Sequence, residues 1–100
     1  LDLSEATSLV EIGDGAFYGT SLAGALVIPA KVSMIGNGAF QLTKLTGLDL
    51  SKATSLEEIG DDAFSYATDL AGTLMIPANV TMIGSSAFQE TKITGLDLSK

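Results

Sequence analysis

Leu26-Val-Ile-Pro-Ala-Lys-Val-Ser-Met-Ile-Gly-Asn-Gly-Ala-Phe40 returns as Leu74-Met-Ile-Pro-Ala-Asn-Val-Thr-Met-Ile-Gly-Ser-Ser-Ala-Phe88. A related unit occurs twice more, ending in Leu9-Val-Glu-Ile-Gly-Asp-Gly-Ala-Phe17 and Leu56-Glu-Glu-Ile-Gly-Asp-Asp-Ala-Phe64. The variant units open on Leu1-Asp-Leu-Ser4 and Leu48-Asp-Leu-Ser51 and carry two extra residues before their second apolar pair. The chain thus reads as stacked half-units over about 1–24, 25–47, 48–72 and 73–95, with a fifth starting at 96–100. It starts in mid-pattern and stops inside a unit, so residues 1–100 are expected to be one fragment of a longer array.

Each half-unit carries the same signals in the same order. Leu1-Asp2-Leu3, Leu26-Val27-Ile28, Leu48-Asp49-Leu50, Leu74-Met75-Ile76 and Leu96-Asp97-Leu98 alternate at period two. That period predicts strands with one buried face. Pro29 and Pro77 close two of them, because proline cannot donate to a ladder. Apolar pairs follow three residues apart: Leu9/Ile12, Val32/Ile35, Leu56/Ile59 and Val80/Ile83. Gly13, Gly36, Gly60 and Gly84 come next, marking either positive φ or an approach too close for a Cβ. The recurring Ala-Phe predicts a tight corner, short enough to be a single helical turn, with the ring turned inward. Leu22, Leu45, Leu70 and Ile93 then lead into the following strand. A helical repeat is rejected: no stripe at i, i+3, i+4, i+7 persists over ten residues, and Gly or Pro interrupts every half-unit.

The pattern Leu-x-Ile-Pro-x-x-Val-x-x-Ile-Gly-x-x-Ala-Phe resembles the BspA-like leucine-rich repeat across the whole chain, most closely at 26–40 and 74–88. The family often has Cys three residues after the Phe; Thr20, Thr43, Ala67 and Thr91 stand there instead. The resemblance implies a right-handed repeat solenoid with a parallel β-sheet on its concave face and short turns or single helical turns opposite. It also implies a secreted or cell-surface protein whose role is adhesion to host or neighbouring-cell proteins.

The composition narrows the chemistry. Net charge is −7, from twelve acids against five Lys+Arg, with no His and no Cys. Nucleic acid is not expected as a partner, since phosphate binding needs clustered cations. No apolar run approaches the ~20 residues of a membrane span, so no membrane insertion is expected within the fragment. The chain is read as not an enzyme, because Ser-His and Cys-His pairs are impossible without His. Glu57-Glu58 and Asp61-Asp62 read as solvated acids beside a turn glycine. Asp14-Gly15 and Asp61-Asp62 bring calcium to mind, but Asn37-Gly38 and Ser85-Ser86 occupy the same register elsewhere. No metal or cofactor is therefore expected.

The candidate binding residues are the outward middle positions of the long strands: Asp2, Val27, Asp49, Met75 and Asp97. With parallel strands about 4.8 Å apart, acids would recur every ~10 Å with an apolar residue between them. Such a striped face suits an unidentified protein partner with spaced basic groups. In the plainer reading the aspartates only keep the sheet soluble. Charge alternates too, with −4 over 1–24, +2 over 25–47, −5 over 48–72 and zero over 73–95 and 96–100, offering opposite signs to stacked neighbours. Two functions follow: an interaction or adhesion scaffold, or a spacer stalk with no ligand of its own.

Overall fold

A computed structural model describes residues 8–98, with side chains described for residues 8–95. The chain winds through about four turns as a parallel β-solenoid. Among the described residues there is no helix. Long strands form one side: β2 (Ala23–Val27), β4 (Lys44–Asp49), β6 (Ala71–Ile76) and β8 (Lys92–Leu98). Two-residue strands form another: β1 (Glu11–Ile12), β3 (Met34–Ile35), β5 (Glu58–Ile59) and β7 (Met82–Ile83). The long strands start several residues before the predicted Leu-x-Leu core. β2 and β6 end directly ahead of the Ile28-Pro29 and Pro77 boundaries. The Leu1-Asp2-Leu3 strand lies outside the described residues.

The core is a set of vertical ladders made by the repeat. Leu26, Ile28, Val32, Ile35, Leu45, Leu56, Ile59 and Leu70 are fully buried. Phe17, Phe40, Phe64 and Phe88 stack face to face, with centroids 5.1, 5.2 and 5.4 Å apart and ring planes within 9°. The Phe ring is thus the inward plug expected from its register.

The corner that carries each Phe is not a helical turn. Alternate N–H groups bond within the coil, as Ala39 to Gly36 and Gln41 to Gly38, while those between bond to the next coil, as Gly38 to Asp61 and Phe40 to Ala63. A helix would direct every N–H back into its own coil. The corner also needs φ near +60° at Gly15, Gly38, Asp62 and Ser86, and again at Gly19, Leu42, Tyr66 and Glu90. A right-handed helix cannot contain such residues. Threonine closes three of the corners: the Thr20, Thr43 and Thr91 hydroxyls donate to the Phe17, Phe40 and Phe88 carbonyls at 2.8–2.9 Å.

The recurring glycine takes the second of its two predicted roles. Positive φ falls two residues later. At Gly36, Gly60 and Gly84 a Cβ would lie only 2.3–2.7 Å from the backbone N and side-chain oxygen of the residue after the preceding glycine. The close approach leaves room for a side-chain ladder. Asp14 Oδ1 accepts the Asn37 N–H, Asn37 Oδ1 accepts the Asp61 N–H, and Asp61 Oδ1 accepts the Ser85 N–H, each at 2.8 Å.

Register does not come from charge alternation. Among the described residues the ion pair between stacked coils is Lys92 to Asp69, at 4.0 Å and largely exposed. Such a pair contributes about 0–1 kcal/mol. The backbone, Phe and Asp/Asn ladders hold the register instead.

Candidate functional site

The long-strand side is not one continuous sheet. β2 pairs with β4, with Val27 opposite Asp49, and β6 pairs with β8, with Met75 opposite Asp97. Among the described residues no backbone hydrogen bond joins β4 to β6. The evenly spaced acidic and apolar stripe expected from Asp2, Val27, Asp49, Met75 and Asp97 is therefore interrupted between Asp49 and Met75.

The cause lies in the unequal coils. After Leu50 the variant coil spends its two extra residues on a turn, in which Ala53 N–H donates to Leu50 C=O and Thr54 N–H to Lys52 C=O. The next coil takes the shorter route through Pro77, with Val80 N–H donating to Pro77 C=O. A long turn beneath a short one holds the strands apart. One side-chain bond spans the gap, from Asn79 Nδ2 to Thr54 C=O at 2.6 Å. In the opposite order, short coil beneath long, the ladder closes: Ile28 N–H donates to Asp49 C=O and Ser55 N–H to Ala30 C=O, both at 3.2 Å.

The gap forms a cleft of about 450 Å³ lined by Leu50, Ser51, Thr54, Met75, Ile76, Pro77, Ala78 and Asn79. A smaller continuation of about 180 Å³ runs between Leu48, Asp49 and Ser51 on one side and Thr73, Leu74 and Met75 on the other. Asp49 and Met75 thus face each other across the seam. Asp49 is exposed, and its Oδ1 accepts the Ser51 N–H at 2.8 Å. The Ser51 hydroxyl first, and the Ser51 N–H second, hold the Asp49 carboxyl below its ordinary range, with Lys52 adding a smaller effect. Met75 is 56% exposed, whereas Val27 is half-buried. The Asp97 side chain and all of Asp2 lie outside the described residues.

The acid-and-apolar alternation is complete elsewhere. Glu11, Met34, Glu58 and Met82 stand in register on the unbroken sheet β1-β3-β5-β7. Two-residue strands are too short for a period of two to show, so these strands carry no sequence signal. Thr54, Pro77, Ala78 and Asn79, which line the cleft, carry no signal of their own; the two-residue difference between neighbouring coils is the sign of the cleft in the sequence.

The other acidic candidates are occupied or dispersed. Asp14 and Asp61 each use an oxygen on the N–H of the next coil. Among the described residues no three potential metal-ligating acids gather. No described helix is long and apolar enough to cross a membrane.

A family model described as a BspA type leucine rich repeat region matches residues 2–100 in six copies. No curated protein matches the chain. Among solved structures, the pneumococcal vaccine antigen PcpA is similar with a TM-score of 0.79 and 32% identity, over 92% of this chain and 23% of that one. A leucine-rich repeat protein from Bacteroides capillosus is similar in fold, with a TM-score of 0.78 and 24% identity over 92% of this chain and 64% of that one. The chain therefore spans less than two thirds of either length.

Proposed function

The chain belongs to the BspA-type leucine-rich repeat family, and on that premise we propose that it is a non-catalytic scaffold of a surface or secreted protein, binding a protein partner on its long-strand face. The observation that carries this reading is the opposition of Asp49, a carboxylate pinned by Ser51, and the exposed Met75 across the seam between β4 and β6. A fixed charge beside accessible apolar surface is what a protein interface needs: apolar area for affinity, charge for register. The similarity to a pneumococcal antigen supports a surface setting. The other reading, a spacer stalk, is favoured by the recurrence of Asp at positions 2, 49 and 97.

The test is binding of the chain to a panel of extracellular-matrix and host-surface proteins. It is run beside a variant with Asp2, Asp49 and Asp97 changed to Lys, and beside Asp49→Asn, which keeps the acceptor for the Ser51 N–H. Saturable binding lost in the Lys variant and weakened in Asp49→Asn, at unchanged melting temperature, is expected. Equal binding by all forms would move the site off this face, and no binding at all would favour the stalk. A lowered carboxyl stays charged until pH falls through its folded value. Binding through Asp49 should therefore persist as pH falls to about 4.

A further inference from the structure

We infer that the cleft between β4 and β6 is an anchor site for one bulky apolar side chain of a protein partner, next to a cationic residue that meets Asp49. This rests on the reading of the long-strand face as the binding surface, and it names what that surface grips.

Three observations define the occupant. The first is size and lining. A cleft of about 450 Å³ walled by Leu50, Met75, Ile76 and Pro77 lies in the lower part of the range for small-ligand pockets and has an apolar interior. The second is separation. Cα atoms of β4 and β6 come within 8 Å of each other. An intervening strand would need about 9.5 Å, twice the normal spacing. Where the two strands approach this closely a partner cannot add a strand between them, while the cleft leaves room for a side chain.

The third is polar chemistry. Consecutive residues of a parallel strand direct their N–H and C=O groups to opposite neighbours. The Asp49 C=O faces β2, where it accepts the Ile28 N–H, so the Leu50 N–H faces the seam. That N–H has no hydrogen-bond partner among the described residues. It offers a donor to a partner's backbone carbonyl at the floor of the cleft. The Asp49 carboxylate lines the smaller part of the cleft; Lys52 is near enough to act on it, but no Lys lines either part. The half-unit carrying it, 48–72, has a charge of −5. Anions are repelled there and a cation is attracted. An apolar anchor, a backbone carbonyl and a neighbouring Lys or Arg together describe a short peptide segment.

The probe is the synthetic peptide acetyl-Gly-Phe-Lys-Gly-amide, titrated into the ¹⁵N-labelled chain while backbone amide shifts are followed. Controls replace its Phe by Ala or its Lys by Glu. Ala78→Trp, at an exposed residue of the cleft wall, fills the cleft and leaves Asp49 in place. The expected result is saturable shifts at Leu50, Thr54, Ala78 and Asn79. Binding should be at least about tenfold weaker for the Ala control, from the lost apolar burial, weaker also for the Glu control, and absent in Ala78→Trp at unchanged melting temperature. No shifts at these residues, equal shifts with the Ala control, or full binding by Ala78→Trp would overturn the inference. Failure of the cleft and failure of the face as binding surface are distinguishable. A matrix or host protein whose binding is lost in Asp49→Asn but kept in Ala78→Trp would leave the face as the binding surface and remove the cleft from it.

Discussion

Phe40→Ala is expected to destabilise the chain by about 3–5 kcal/mol. Phe40 is fully buried and lies between two parallel rings, 5.1 Å from Phe17 and 5.2 Å from Phe64. Truncation removes its apolar burial and two stacking contacts of about 0.5–1.5 kcal/mol each. It also leaves a void that cannot collapse, because the rings above and below are held by their own coils. A domain this small has a total stability of only about 5–15 kcal/mol. In a solenoid, where each coil rests on its neighbours, an inner gap uncouples the two ends. Phe88→Ala should cost less, since Phe88 is half-buried and has one described ring neighbour. Denaturant melts of the two variants check this; an unchanged melt for Phe40→Ala would contradict the inward ladder.

Gly60→Ala and Gly13→Ala should differ sharply although both change one register of the repeat. A Cβ at Gly60 would sit 2.5 Å from Asn37 Oδ1 and 2.7 Å from the Asn37 N, whereas among the described residues a Cβ at Gly13 meets nothing within 4 Å. Neither residue has positive φ, so backbone strain does not confuse the comparison. At Gly60 the coils must separate or the Asn37 to Asp61 bond must break, which places the cost at about 1–3 kcal/mol or above. Gly13→Ala is expected within about 0.5 kcal/mol of the parent. Equal effects at the two sites, measured by thermal melting, would mean that coil-to-coil approach is not what this glycine serves.

These two positions were legible in the sequence because each has one physical role repeated at one register. Four Phe residues preceded by Ala can only be a ladder, and four glycines can only be a tight approach or an unusual φ. The positive-φ positions themselves were not legible, since Leu42, Tyr66 and Glu90 occupy one of them and carry no turn signature. The seam was hidden for another reason. The two extra residues before Leu56 are plain in the sequence, but their effect is on the next coil: they open an edge between Leu50 and Met75. A property of neighbouring coils of unequal length is not written in either coil alone. The candidate residues Val27, Asp49 and Met75 were therefore placed on the right strands but with a spacing the structure does not keep.

Amide hydrogen exchange reads the interrupted face directly. The Ile28 N–H donates to Asp49 C=O and the Gly60 N–H to Ile35 C=O, at 3.2 and 2.8 Å, while the Leu50 N–H has no described partner. The Leu50 side chain is nonetheless buried. Protected amides at Ile28 and Gly60, with Leu50 exchanging far faster than either, is the predicted result. Protection of Leu50 equal to that of Ile28 would mean that β4 and β6 are zipped into one sheet, and would remove the cleft on which the proposed recognition depends.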